Sequence, residues 1–248
     1  MPMPRLSVNI VAAATGAEQM LLAGHHPRGL KYRRQRIAGE PVNRRTFILM
    51  LAAGLFAGCG KRKKLPALPP GSGVLAFGDS VTWGTGAGPD EDWPSRLATA
   101  TGWRIHNAGV PGDTAEAART RLPALLAAQR PALVIIEIGG NDFLRRRPVA
   151  AVKEDVRQLV RTAAASGAQV VLVAVPELSL LGALTQRPSD AALYRELGDE
   201  EKVPVIESVF SETLANPEWR ADQIHPNAEG YRRMAAGIES ALRQSGLL

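Results

Sequence analysis

Short apolar runs alternate with amphipathic segments from residue 74 to the end of the chain. The apolar runs predict strands at 74–77, 104–106, 133–138, 169–175 and 203–206. The amphipathic segments predict helices at 93–100, 115–129, 149–165, 190 to about 197 and 228 to about 244, with Thr114, Ser189 and Asn227 as N-caps. Nearly continuous apolar strands between such helices favour a parallel sheet that is covered on both faces. We therefore expect a single doubly wound, flavodoxin-like α/β domain over 74–248, with about five parallel strands.

The first 59 residues do not continue this alternation. Residues 1–41 carry four prolines and no sustained helical or strand period. We interpret them either as a disordered extension or as an upstream segment produced by a misplaced start, with Val42 as the true initiator. Residues 42–59 are predicted to be an export signal, because two arginines precede an apolar run at 47–57 and small residues follow it.

Two finer resemblances mark this export signal. Residues 43–49, NRRTFIL, are similar to the twin-arginine export motif of bacteria. Residues 55–59, LFAGC, resemble a bacterial lipobox, with Phe56 where leucine is usual. The resemblance implies that Cys59 is lipidated and anchors an exported protein on the periplasmic side of a bacterial membrane. The alternative is an ordinary signal peptide, or an uncleaved anchor, with an incidental cysteine.

The positive net charge of the chain belongs to its N-terminal part. Residues 1–64 hold 12 basic and 2 acidic side chains, a charge of +10, whereas residues 65–248 hold 18 and 22, a charge of −4. Because nucleic-acid binding requires clustered cations on the folded domain, we expect no nucleic-acid partner. Residues 60–73 are rich in cations and prolines, so we expect an extended tether with no core. The single cysteine excludes an internal disulfide framework and a cysteine-based zinc cluster.

Polar and glycine-rich clusters follow the predicted strands at the points where those strands end. The clusters are 78–80 (GDS), 107–114 (NAGVPGDT), 139–142 (GGND) and 222–227 (DQIHPN). Ligands of open parallel sheets bind outside the carboxyl ends of the strands. We therefore expect these clusters to converge on one edge of the sheet.

The residue types in these clusters are those of an acyl-transfer site. Ser80 follows a strand and a glycine, but a serine hydroxyl needs a base to become a nucleophile. His225 lies three residues after Asp222, so a tight turn can bring the carboxylate to Nδ1 and leave Nε2 facing Ser80. His106, which lies in or beside a strand, is interpreted as a packed histidine. A surface turn or half of a metal site is the alternative for Asp222 and His225, but the folded C-terminal part has no second histidine for a metal.

A tetrahedral oxyanion needs hydrogen-bond donors that are already in place. The candidates are the backbone N–H groups of Ser80 and Gly112 and the side-chain amide of Asn141, with the missing Cβ of Gly112 allowing close approach. The neighbouring carboxylates of Asp79, Asp113 and Asp142 are interpreted as structural.

The four clusters, in this order, resemble the blocks of the SGNH (GDSL-type) hydrolases, with Val81 where leucine is usual. The phrases GDSVTWGTG, NAGVPGDT, EIGGNDFLR and DQIHPN are similar to the branch of bacterial thioesterase/lysophospholipases and arylesterases, over about 74–240. The resemblance implies a metal-free and cofactor-free site. It implies that Ser80 is the nucleophile, that His225 is the base oriented by Asp222, and that Ser80, Gly112 and Asn141 are the oxyanion donors.

Two segments are expected to shape the substrate site. Phe143 and Leu144 directly follow Asn141, and residues 177–188 carry Leu178 and Leu181 after the fourth strand. Apolar residues on a loop above a strand end indicate an acyl-binding wall, although a short helix that packs its leucines into the core is the alternative. The arginines at 145–147 are expected to attract anionic headgroups or to form a solvated charge run.

We therefore expect a monomeric, exported serine esterase that cleaves carboxylic esters or thioesters through an acyl-serine intermediate. Short-to-medium acyl esters, aryl esters and lysophospholipids are the expected substrates. The first alternative is a carbohydrate O-deacetylase on the same fold. The second is a non-catalytic binding protein of the cell envelope.

Overall fold

The computed structural model describes residues 64–177 and 188–248. Its centre is a five-stranded parallel sheet in the order β2-β1-β3-β4-β5, which confirms the predicted architecture. The strands are β1 (Gly73–Gly78), β2 (Arg104–Gly109), β3 (Leu133–Glu137), β4 (Gln169–Val173) and β5 (Val205–Ile206). Every residue of β3 is buried, and so are most residues of β1 and β4, as expected for central strands covered on both faces.

The helices cover the sheet and carry the loops at its ends. They are α1 (Ser80–Trp83), α2 (Trp93–Thr101), α3 (Ala115–Gln129), α4 (Gly140–Leu144), α5 (Val149–Ala165), α6 (Ala192–Glu201), α7 (Val209–Ala215) and α8 (Ala228–Ser245), with a 3₁₀ turn at Pro217–Trp219. In the part of the chain that the structure describes, no helix is both long and apolar enough to cross a membrane.

The direction of winding changes between β1 and β3. From β1 the chain moves to one side of the sheet to form β2, and it then returns to form β3, β4 and β5 on the other side. The register places Gly78, the last residue of β1, level with Gly109 of β2 and Glu137 of β3. Such a switch point leaves a crevice at the carboxyl ends of the two strands, because their following loops diverge.

The helix caps test the expected starts of three helices. Thr114 Oγ1 accepts from the N–H of Ala117 at 3.3 Å, and Asn227 Oδ1 accepts from that of Gly230 at 3.0 Å, so both predicted caps are confirmed. The predicted cap at Ser189 is wrong. The carbonyl of Ser189 instead accepts from the N–H of Glu177, so α6 begins only at Ala192.

Two further expectations need correction. Residues 65–72 are not a free tether. The N–H of Leu65 donates to Ser245 O and that of Leu68 to Leu247 O, both at 2.9 Å, and both leucines pack against the core. Three prolines interrupt this segment, but its leucines decide where it lies. His106 is exposed rather than packed, because it lies on the edge strand β2.

Candidate active site

Three predicted side chains form a continuous hydrogen-bonded chain above the sheet. His225 Nε2 lies 2.9 Å from Ser80 Oγ, and His225 Nδ1 lies 2.7 Å from Asp222 Oδ2. The His225 side chain is 14% exposed, whereas that of Asp222 is 54% exposed. The imidazole can therefore take a proton from the serine hydroxyl while the carboxylate fixes its tautomer.

Asp222 builds the turn that carries His225. Its Oδ1 accepts from the backbone N–H groups of Ile224 and His225, both at 2.8 Å. Partial burial alone would raise the pKa of Asp222, but the hydrogen bonds from the His225 ring and from these two N–H groups lower it. The same carboxylate thus shapes the loop with one oxygen and orients the imidazole with the other.

Ser80 is the first residue of α1, directly after β1. Gly78 allows this sharp turn, because a Cβ at that position would collide with the backbone oxygen of Glu137 and the Thr82 side chain. Asp79 caps the helix, since its Oδ1 accepts from the N–H of Val81 at 3.1 Å. The loop that follows α1 is tied to α8 by a hydrogen bond from the Tyr231 hydroxyl to the carbonyl of Thr85 at 2.8 Å.

The Asn141 amide is held between two other site residues. Its Nδ2 donates to the carbonyl of Asp113 at 2.9 Å and to Asp79 Oδ2 at 3.3 Å. The longer of these bonds is the weaker one, so an oxyanion can compete for that amide proton. The side chain is thus oriented by the loops after β1 and β2.

The backbone conformation of Gly112 gives a further reason for a glycine at this position. Its φ is +80°, in the left-handed region that side chains disfavour, and a Cβ there would meet no atom of the described residues within 4 Å. Its carbonyl accepts from Arg145 Nη2 at 3.1 Å, and the neighbouring Asp113 carbonyl accepts from Asn141. The structure therefore places Gly112 in the loop that contacts Asn141, with a backbone conformation that favours glycine.

Two buried carboxyl groups lie beneath this site. Burial raises the pKa of Asp79 to about 7, with Asp113 and Asp142 adding to the rise and the Val81 N–H and His225 opposing it. Burial, followed by the charge of Asp79, also raises the pKa of Glu137. The Thr82 hydroxyl donates to Glu137 Oε2 at 2.7 Å, while Oε1 is buried with no hydrogen-bond partner among residues 64–177 and 188–248. A neutral Glu137 suits such an environment, because an unpaired buried charge is costly.

A cavity opens beside Ser80, and most of the residues that line it are apolar. Leu144 lines it as predicted, whereas the prediction for Phe143 is wrong. Phe143 is only 8% exposed and belongs to the core. Leu178 and Leu181 lie outside the described residues. The lining residues are Asp79, Ser80, Val81, Glu137, Gly140, Asn141, Leu144, Val175, Pro176, Phe210, Leu214, Ile224 and His225.

Several site residues were not expected from the sequence. Phe210 and Leu214 come from α7, which was not predicted at all. The Tyr194 hydroxyl donates to the Ile138 carbonyl at 2.6 Å and lies under Gly139, just before Asn141. For Glu137 a signal existed, because it is the only charged residue in an otherwise apolar strand.

Arg121 is a further unpredicted residue, and it joins three of the loops around the site. It donates to Asp113 Oδ2 at 2.8 Å, to the carbonyl of Ala108 at 2.7 Å and to that of Gly78 at 2.8 Å. Its guanidinium also lies 4.0 Å from the centre of the Phe77 ring. One side chain therefore links the ends of β1 and β2 to the loop that contacts Asn141.

Comparisons with known proteins agree with this site. The profile of the GDSL-like Lipase/Acylhydrolase family matches residues 76–233. Over 177 residues, 68% of this chain, the chain is 31% identical to the Thioesterase 1/protease 1/lysophospholipase L1 of Escherichia coli K12, of which 83% is covered. It is 30% identical over 177 residues to an arylesterase of Vibrio mimicus, with 68% of this chain and 87% of that protein covered.

A solved structure titled "Crystal Structure of TesA" has a similar fold. Its TM-score is 0.61 at 29% identity, and the match covers 70% of this chain and 99% of that one. Among the described residues, no group of three or more histidine, cysteine, aspartate or glutamate side chains could hold a metal ion. The chain belongs to the GDSL-like lipase/acylhydrolase family and is a serine esterase of the SGNH type.

Proposed function

We propose that the protein hydrolyses carboxylic esters and thioesters with an apolar acyl group through an acyl-Ser80 intermediate. Short-to-medium acyl esters, aryl esters and lysophospholipids are the proposed substrates. The observation that carries this proposal is the chain from Asp222 through His225 to Ser80, which stands at the edge of a largely apolar cavity. The names of the relatives, a thioesterase/lysophospholipase and an arylesterase, support the same range of substrates.

The proposed reaction begins when Ser80 Oγ attacks the carbonyl carbon of the ester. The hydroxyl proton passes to His225 Nε2, and Asp222 stabilises the imidazolium that forms. The carbonyl oxygen becomes an oxyanion, which accepts from Asn141 Nδ2 and from the N–H groups of Ser80 and Gly112. In this step Asn141 exchanges its longer hydrogen bond to Asp79 for one to the oxyanion. The new hydrogen bond strengthens as negative charge develops on that oxygen.

The intermediate collapses when the leaving oxygen or sulfur departs with the proton from His225. The acyl group then remains on Ser80. Water attacks the acyl carbon, with His225 accepting its proton, and the second tetrahedral intermediate releases the acid and the serine. No step requires a metal or a cofactor.

The cavity supports an acyl chain rather than a sugar as the bound group. Val175 and Pro176 follow β4, Phe210 and Leu214 come from α7, and Ile224 lies beside His225. Burial of each methylene of an acyl chain against such side chains contributes about 0.8 kcal/mol. A series of esters of increasing length should therefore show activity that rises with chain length until the cavity is filled.

Hydrolysis of p-nitrophenyl esters from C2 to C16 tests the proposal. We expect maximal activity between about C4 and C10, because added methylenes stabilise the bound ester only while they are buried in the apolar cavity. Ser80→Ala should lower kcat by at least about 1,000-fold, whereas Ser240→Ala, on the exposed surface of α8, should leave it unchanged. Activity on C2 alone would favour a deacetylase, and equal activity of the wild type and Ser80→Ala would contradict the mechanism.

We also propose that the protein is exported and lipid-anchored through Cys59. Support comes from the sequence alone, namely the twin arginines, the apolar run at 47–57 and the small residues before the cysteine. Metabolic labelling with a fatty acid, followed by mass spectrometry of the mature N-terminus, tests this. A mature protein that begins upstream of Cys59 or lacks a lipid there would contradict it.

A further inference from the structure

Most of the large exposed apolar side chains lie on segments that border the active site. Among the described residues the exposed large apolar side chains are Trp83, Val110, Leu144 and Val149. Trp83 ends the helix that begins with Ser80, and Leu144 lines the cavity. Val110 follows the strand end beside them. Three of the four therefore belong to segments that start or end at the site.

The contacts between these segments place them side by side. Gly109 packs so closely on the Trp83 backbone that a Cβ would collide with it, and Val110 is the next residue. Across the same loop, Arg145 Nη2 reaches the carbonyl of Gly112 at 3.1 Å, and Leu144 precedes Arg145. Trp83, Val110 and Leu144 therefore lie on neighbouring segments that border the active site, and we call these three exposed side chains the apolar rim.

Cations accompany the rim. Arg145 and Arg146 are both exposed, and within the described part of the chain no carboxylate pairs with either guanidinium. Arg147 differs, because it is bound to Asp142 and Asp155. Two unpaired cations are notable here, since residues 65–248 as a whole carry a charge of −4. Their charge is complementary to an anionic surface in front of the mouth.

We propose that this rim docks the open active site onto a lipid surface that contains anionic headgroups. A tryptophan and two aliphatic side chains suit the boundary between headgroups and acyl chains, and flanking arginines suit the anionic phosphates. Docking in this orientation lets an acyl chain pass from the lipid into the cavity without crossing water. The purpose of the docking rests on the proposed function, but the binding itself does not.

The fluorescence of Trp83 provides a local test in the full chain. Trp93 and Trp103 are buried, and the centre of the Trp219 ring lies 4.7 Å from the Arg233 guanidinium carbon. Trp83 is therefore the exposed tryptophan of the described residues. Because the apolar run at 47–57 can itself hold the chain on a vesicle, total binding is not a sufficient readout. The signal is therefore the wild-type spectrum minus that of Trp83→Phe, measured with Ser80→Ala in both chains.

We expect vesicles of 70% phosphatidylcholine and 30% phosphatidylglycerol, with dibrominated acyl chains, to quench this difference signal. Arg146→Gln should raise the lipid concentration needed for half-maximal quenching about fivefold, as expected for the loss of one cation at an anionic surface. Arg130→Gln removes the same charge from the opposite end of the sheet, between α3 and β3, and should have no effect. Trp83→Gln should lower hydrolysis of vesicle-borne ester but not of a soluble ester.

Three results would overturn the proposal. The first is vesicle binding without quenching of Trp83, which would place another part of the chain on the lipid. The second is equal quenching by pure phosphatidylcholine, which would remove the role of the arginines. The third is equal loss for Arg146→Gln and Arg130→Gln, which would reduce the effect to net charge. Failure of the wild type to hydrolyse soluble esters would contradict the proposed function and leave the binding result intact.

Discussion

Replacement of Asp79 by asparagine tests the electrostatic account of the site, because this carboxyl is buried and has no cationic partner among the described residues. Its Oδ1 accepts from the Val81 N–H, and its Oδ2 lies 3.3 Å from Asn141 Nδ2. Burial raises the pKa of Asp79 to about 7 from 3.8. The substitution keeps the size of the side chain and its acceptor for Val81 but removes the ionisation.

The sign of the pH effect follows from this pKa. The folded protein holds a proton on Asp79 between pH 4 and pH 7, where the unfolded chain has lost it. The contribution of the neutral carboxyl to stability is therefore fully present below pH 4 and is lost as the pH rises through 7. A difference of about three pKa units corresponds to about 4 kcal/mol, since each unit is worth 1.36 kcal/mol. Asparagine does not pay this cost of ionisation.

Urea unfolding at pH 5, 6, 7 and 8, followed by circular dichroism, measures the effect. The unfolding free energy of Asp79→Asn minus that of the wild type should rise with pH by a few kcal/mol and level off above pH 7. All other titrating groups are common to both proteins and largely cancel. The Asp79→Asn protein should also have lower esterase activity than the wild type, because the new amide faces the Asn141 amide. A difference that is constant or falls with pH would refute the reasoning.

Four other substitutions give further tests. Asp222→Asn should lower kcat in steady-state ester hydrolysis by about 10- to 150-fold, the value of one charge-assisted hydrogen bond, because the carboxylate that stabilises the imidazolium is half exposed to solvent. Gly112→Ala should cost about 1 kcal/mol in thermal unfolding and lower kcat more than it raises KM, since φ is +80°. Phe210→Ala should move the preferred p-nitrophenyl ester to longer chains, because it widens the cavity. Cys59→Ala should abolish incorporation of a labelled fatty acid into the protein, measured by metabolic labelling and immunoprecipitation, because it removes the proposed site of lipidation.

The repeated pattern of strands and helices was predictable because each element is determined by the hydrophobic pattern of its own residues. The apolar run of β3 and the period of α5, Val149–Ala165, allow few other structures, and α5 has the predicted bounds. Once the sheet is parallel, the carboxyl ends of its strands must meet at one edge. That rule was sufficient to bring Ser80, Asn141 and the loop of Gly112 together from separate parts of the sequence.

The walls of the cavity were harder to predict, because they depend on packing between distant segments. Phe143 and Leu144 are neighbours on one short helix, but the direction of each side chain decides that the first enters the core and the second the cavity. Phe210 and Leu214 belong to a seven-residue helix with no distinct period in the sequence. Arg121 gives no local signal either, since an arginine on a helix such as α3 is ordinarily expected to be exposed.

The carboxyl groups around Asn141 show that the site is built at a cost to stability. Asp142 is fully buried but compensated, because Arg147 binds it and the Ala115 N–H donates to it at 2.9 Å. Within the described part of the chain, Asp79 and Glu137 have no such cation. A sequence chosen for stability alone would place apolar side chains there. Asp79 keeps its carboxyl where it caps the nucleophile helix and holds the Asn141 amide, so positioning of these two groups outweighs the burial cost.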